Sequence, residues 1–299
     1  MRFVRFFILS VFLFLFIGCQ NKISKEDRIA FVSYRTGSAE IFMMNLDGSD
    51  VIQITNSPNN NSFPVQLDKQ TIGFTSTDSL RKSKKMKVNI HTKEVTPWIE
   101  PEIREDSKWT EKNDIKSVWA FVRSTDYRDR ELFIYDEKRN EERQITSHLD
   151  SSFMTYSINH SWSPDGNKLI FMSGKDWYNQ VIRMYDLESK TITNITHRGY
   201  MNSGLKWIDN QTLVANLKIR NKTMYELYRV DIKTGELTQI TSDINLHPDV
   251  SPDGQHIVFE SQRNKNDGDV YIMNSDGTNQ KRLTKGESYN GRAIWFSMN

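Results

Sequence analysis

The chain has a single cysteine, Cys19, in 299 residues. It therefore forms no internal disulfide and offers no thiolate set for a structural metal. Histidine is sparse and scattered, with no His-x-His or His-Glu-x-x-His pairing to hold a catalytic ion. A Gly-x-Ser-x-Gly nucleophile elbow is missing as well. Its nearest approach, Gly286-Glu287-Ser288-Tyr289-Asn290-Gly291, has Asn where the closing glycine belongs, which excludes serine-hydrolase chemistry. Charge of one sign is not in excess: there are 40 Lys and Arg against 38 Asp and Glu. Two of the basic residues, Arg2 and Arg5, fall at the amino terminus, so the rest is balanced. General nucleic-acid binders are basic, and nucleic acid is not expected as a partner. Helical periodicity is absent after the amino terminus, and no apolar run is long enough to span a bilayer.

What the chain does have is a repeat. Ser163-Pro164-Asp165-Gly166 and Ser251-Pro252-Asp253-Gly254 each precede an apolar β-rich run, Leu169 to Ser173 and Ile257 to Ser261. A closing pair recurs at Ile54-Thr55, Val95-Thr96, Ile145-Thr146, Ile195-Thr196, Ile240-Thr241 and Leu283-Thr284, and a second marker recurs at Phe31, Phe74, Phe121, Phe171, Ala215 and Phe259. Two independent markers with matching periods define six units. Each holds short runs rich in Val, Ile, Phe and Tyr between turn clusters, the pattern of consecutive hairpins. Four strands in about 40 to 45 residues make a propeller blade. The fold expected is all-β: a six-bladed β-propeller of four-stranded antiparallel blades. The last residues, Arg292 to Ser297, match a first strand, whereas the first unit starts at Arg28 without one. The carboxyl-terminal strand is therefore expected to complete the amino-terminal blade, which leaves no open edge.

Within the repeat most recurring residues read as structure. Pro-Asp-Gly is turn chemistry, and the Trp and Phe markers are packing between blades. Unit three is irregular, because Trp109 lies farther from Phe121 than Trp162 does from Phe171; an insertion is expected there. The basic run Arg81 to Lys87 is expected on a hairpin tip.

Residues 1–18 place Arg2 and Arg5 before an apolar run from Phe6 to Ile17, the layout of a secretory signal. The sequence Phe16-Ile17-Gly18-Cys19 resembles the bacterial lipobox. That resemblance implies cleavage before Cys19, lipidation of Cys19 and a membrane anchor. Gln20 follows in place of Asp, which directs the expectation to the outer membrane of the cell envelope. The organisation expected is a signal at 1–18, a lipidated Cys19 with a polar tether at 19–27, and a propeller over 28–299.

Over residues 28–299 the units resemble the TolB-type propeller repeats, also called WD-like, most clearly at Ile41 to Gly48 and from Ser251 to Thr284. Related repeats form the propellers of prolyl-oligopeptidase-like peptidases and of oligogalacturonate lyases. Antiparallel succession puts turns one-two and three-four of every blade on one face, and turns two-three with the inter-blade links on the other. The second face carries the longer loops, with Tyr127 and Arg128, Trp177 and Tyr178, Arg198 and Tyr200, and Tyr289 as candidate partner-binding residues. Aromatic and Arg residues are the usual anchors of interfaces. The function expected is a lipid-anchored, non-catalytic adaptor for an envelope protein or peptide, with no cofactor. The alternative is a surface lipoprotein that binds a glycan or cleaves an acidic oligosaccharide with a metal. His148, His197 and His247, with His160 beside them, are the candidate ligands for that metal.

Overall fold

The structure is a computed structural model that describes residues 23–98, 107–126, 129–147, 158–174, 179–197, 201–219, 224–264, 267–286 and 288–298. Six four-stranded antiparallel sheets form six blades. Blade 2 comprises β4 (Asn60–Asp68), β5 (Thr71–Thr77), β6 (Ser83–Asn89) and β7 (Val95–Pro97). Blade 3 comprises β8 (Ser107–Asn113), β9 (Val118–Asp126), β10 (Asp129–Asp136) and β11 (Glu141–Gln144). Blade 4 runs through β12 (Ile158–Trp162), β13 (Lys168–Gly174), β14 (Gln180–Asp186) and β15 (Ile192–Asn194). Blade 5 follows with β16 (Met201–Trp207), β17 (Thr212–Lys218), β18 (Glu226–Asp231) and β19 (Leu237–Gln239). Blade 6 holds β20 (Asn245–Val250), β21 (His256–Ser261), β22 (Asp269–Asn274) and β23 (Lys281–Arg282).

Blade 1 closes the ring. The last strand, β24 (Asn290–Phe296), pairs antiparallel with β1 (Arg28–Ser33), followed by β2 (Glu40–Asn45) and β3 (Ile52–Gln53). Asp27 fastens the seam, accepting the Trp295 indole N–H at 3.2 Å and the Met298 N–H at 2.9 Å. The first strands pack on one another from β8 through β12, β16, β20 and β24 to β4, so they line the central channel.

The core lies between blades rather than within them. One cluster joins Val118, Ala120, Val122 and Leu132 of blade 3 to Trp162, Leu169, Phe171 and Tyr185 of blade 4. The Trp markers add a polar stitch: Trp162 donates its indole N–H to Glu111 C=O at 3.2 Å, and Trp207 donates to Ser161 C=O at 2.9 Å. Turn glycines allow the same close approach on the outside. A Cβ on Gly277, at φ +90, would stand 2.7 Å from the Ile240 carbonyl of the preceding blade.

The closing Thr has a specific task. Thr55, Thr146, Thr196, Thr241 and Thr284 accept, through Oγ1, the backbone N–H of Ile41, Leu132, Ile182, Leu227 and Val270 at 2.8 to 3.0 Å. Three of them then donate to a buried carboxylate, Glu40, Glu131 or Asp269. The hydroxyl satisfies a third-strand N–H that has no fourth-strand partner.

Three sequence expectations change. In blade 2 the closing position belongs to Trp98 and not to Val95, because Trp98 N–H donates to Lys85 C=O at 3.1 Å as Ile54 does to Ile41 at 2.8 Å. Gly73 leaves the room that the larger Trp98 ring needs. In blade 3 there is no insertion: Lys112 pairs with Trp119 just as Trp162 pairs with Leu169, so Lys112 holds the Trp position and Trp109 lies upstream of it. Finally, only residues 78–82 form the tip of the basic hairpin, and Lys84, Lys85 and Lys87 belong to β6.

Candidate functional site at the channel mouth

The ladder breaks in all six first strands, at one level in five of them and one residue pair further along in β16. The breaks fall at Ser62/Val65, Lys108/Glu111, Ile158/Ser161, Asn202/Gly204 and Leu246/Asp249, and opposite Ala30/Val32 in β24. A bulge bends its strand and re-aims the extra side chain. Four bulge residues sit in the left-handed region without being glycine: Phe63 (φ +56), Asn159 (φ +53), His247 (φ +50) and Arg292 (φ +48). Such conformations are uncommon and cluster at functional sites. At the matching position of β16 stands Gly204, against which Pro248 packs.

Three of these bulges meet at the closing seam. A cavity of about 600 Å³ is lined by Tyr34, Ser62, His247, Glu260, Tyr289 and Arg292 among others. It opens where β1 ends and β20 and β24 begin, which is the face of the two-three turns and inter-blade links. Glu260 organises its floor. This carboxylate, with 2 % of its side-chain surface exposed, faces His247 Nδ1 at 3.2 Å and accepts Tyr289 O–H at 2.8 Å and Arg292 N–H at 3.2 Å. Burial pushes its pKa up, but the bond and charge of His247 with the Tyr289 and Arg292 donors outweigh that and hold it below the usual range. Burial, reinforced by the Glu260 charge, pushes the Tyr289 phenol upward, so it stays a donor.

Exposed rings form the rim. Phe63 is 55 % exposed and Tyr34 46 %, large values for aromatics. Tyr34 meets Tyr289 edge-on with centroids 5.7 Å apart, and the Arg292 guanidinium stacks 3.9 Å from the Phe63 centroid.

Deeper in the channel, register aligns Ile294, Val65, Glu111, Ser161, Lys206 and Asp249 at one level. Lys206 Nζ lies 3.8 Å from Asp249 Oδ1, and 40 % of its side-chain surface is accessible within the channel although the group lies deep in the ring. Burial works against its charge, yet Asp249 and Glu111 raise its pKa. Burial raises the pKa of both acids, with Lys206 pulling the other way.

Of the sequence candidates, Tyr289 and His247 come together here on Glu260. His197 is exposed at the blade 4 to blade 5 link and is not part of the cavity. Cys19, Tyr127, Arg128, His148, Trp177, Tyr178, Arg198 and Tyr200 lie outside the described residues. The loop read at 125–130 is shorter than expected, because β9 and β10 extend through Asp126 and from Asp129. Among the described residues no group of three or more His, Cys, Asp or Glu is placed to hold a metal ion. Nor is any helix among them long and apolar enough to cross a membrane. Sequence reading missed Glu260, Phe63, Tyr34 and Arg292. Glu260 left a partial signal, since it is the one charged residue at a position held by Val32, Thr75, Val122, Met172 and Asn216 in the other units.

Six four-stranded blades closed by the carboxyl-terminal strand, with a cavity at one channel mouth, define a β-propeller whose site is built from first-strand bulges. The family described as TolB beta propeller domain matches residues 116–295, more than half of the chain, and the chain belongs to that family. Among solved structures it is similar to TolB from Acinetobacter baumannii, at 19 % identity and a TM-score of 0.68 over 91 % of this chain and 67 % of that one. The putative TolB from Agrobacterium tumefaciens matches at 15 % identity and a TM-score of 0.63 over 91 % and 99 %. An oligogalacturonate lyase from Vibrio parahaemolyticus matches at 13 % identity and a TM-score of 0.55 over 82 % and 85 %. At these identities the likeness is one of fold.

Proposed function

We propose that this chain is a non-catalytic, lipid-anchored envelope adaptor that binds an extended peptide segment of a partner protein at the channel mouth. The observation that carries this reading is the pairing of two exposed rings, Phe63 and Tyr34, with a cavity whose floor is fixed by Glu260. Exposed aromatics on a rigid frame bind at low entropic cost. The anchor reading rests on the Cys19 motif. The chain enters β1 at Arg28, on the short-turn side, and reaches the cavity at the other end of that strand, roughly 20 Å away.

The test is direct binding of peptides, selected against residues 20–299, to wild type and to Phe63→Ala and Tyr34→Ala. Both side chains are exposed, so folding is expected to survive, and affinity is expected to fall about tenfold or more for each. Peptides that bind all three proteins equally would place the site elsewhere. Retention of acidic oligosaccharide with no peptide would favour the glycan alternative.

A further inference from the structure

We infer that the mouth recognises a carboxylate of its peptide ligand, an Asp or Glu side chain next to an aromatic residue, through the Arg292 guanidinium. This rests on the binding reading above and names the chemistry of that site.

Arg292 is a cation held still. It is fixed at three points: its backbone adopts φ +48, its N–H donates to Glu260 at 3.2 Å, and its guanidinium lies 3.9 Å from the centre of Phe63. Phe63 belongs to the neighbouring blade and is itself left-handed at φ +56, so two strained bulges are stacked on each other. Strain of this kind persists only where the surroundings enforce it. Yet among the described residues the guanidinium has no hydrogen-bond acceptor and no ion pair.

The two acids on the cavity do not use it. Glu260 takes its three contacts at Oε2, from His247 Nδ1, the Tyr289 hydroxyl and the Arg292 backbone N–H, and makes no ion pair with the Arg292 guanidinium. Asp267 is exposed on the β21 to β22 link and makes no ion pair with Arg292. Elsewhere the same stacking is consumed internally. Arg35 lies 4.7 Å from the Phe42 ring and donates to Asn290 at 3.0 Å, and Arg263 lies 4.6 Å from the Tyr271 ring and donates to Asn245 at 3.2 Å. Unlike these two, Arg292 stacks with its fork left facing a cavity. A planar fork with its donors free matches a carboxylate bidentately, and stacking pre-orients it. Phe63 and Tyr34, flanking it, supply the apolar surface for an adjacent ring.

The experiment pans a phage-displayed library of random dodecapeptides on residues 20–299. Affinities of the enriched sequences are then measured with each acid and with its amide counterpart. Enriched peptides are expected to carry Asp or Glu beside Phe, Tyr or Trp, and Glu→Gln or Asp→Asn in the peptide to weaken binding at least about tenfold. The same exchange should change nothing on Arg292→Asn, a variant chosen because Asn tolerates the left-handed backbone. Arg292→Lys keeps the charge without the fork and is expected to fall between the two. The ligand-side exchange needs no altered protein, so it stands even if a variant misfolds. Enriched peptides that lose binding on Phe63→Ala but carry no acid, or bind equally as amides, would overturn this inference and leave the binding reading intact. No enriched peptide would overturn both. Trigalacturonate retained by wild type and lost on Arg292→Asn would then assign the fork to a uronate.

Discussion

His160 illustrates how a single side chain can set the pH range of the whole ring. It is buried, its Nδ1 has no partner, and burial, helped by the nearby Lys206 charge, lowers its pKa to about 4 against a weak opposing bond to Ala120. Above the ordinary value of 6.5 the imidazole is neutral folded and unfolded, so it contributes no pH dependence. Between 6.5 and about 4 the unfolded chain takes up a proton that the folded chain refuses, and stability falls with pH. Across that window the loss is on the order of 3 kcal/mol. Glu260 acts lower: its depressed pKa gives stability that is whole above 4.5 and lost as pH falls through the folded value. Urea unfolding from pH 7 to 5 should thus show a slope that His160→Gln flattens. An unchanged slope would mean that His160 is solvated.

At the scale of the strand, the repeat is a hydrogen-bond device as much as a hydrophobic one. Thr284 illustrates it: Oγ1 accepts Val270 N–H at 2.9 Å and donates to Asp269 at 3.0 Å, all of it buried. Thr284→Val keeps the shape and strands both groups, so a cost of about 1–3 kcal/mol in denaturant unfolding is expected. A cost near zero would show that water replaces the hydroxyl.

The repeat markers explain what was readable from sequence. Pro-Asp-Gly turns and apolar runs are local, so the blades, their number and the closing strand were legible. Val95-Thr96 mimicked the closing pair because two residues carry little information, whereas the true occupant, Trp98, is identified by a hydrogen bond across strands. Trp109 misled for the same reason, since only register assigns the position to Lys112. The mouth was less legible. Tyr289 and His247 were candidates, but their meeting on Glu260 depends on contacts between blades 1 and 6 that no local pattern encodes. The left-handed backbones of Phe63 and Arg292 give no sequence signal at all, because neither is glycine.

Over the whole molecule, closure and site are one feature. The strand that completes blade 1 also delivers Tyr289 and Arg292 to Glu260 of blade 6 and to Phe63 of blade 2. The closing seam is thus where this cavity forms, and the opposite face carries short turns such as the one bearing Ile115, exposed at 62 %. These two faces can be told apart by crosslinking. A photo-crosslinking p-benzoylphenylalanine is placed at Phe63 in one version of the full chain and at Ile115 in another, and both are irradiated in the native host. A discrete protein adduct is expected from position 63 and none from position 115. An adduct from 115 alone, or the same adducts from both, would contradict a binding site at the channel mouth.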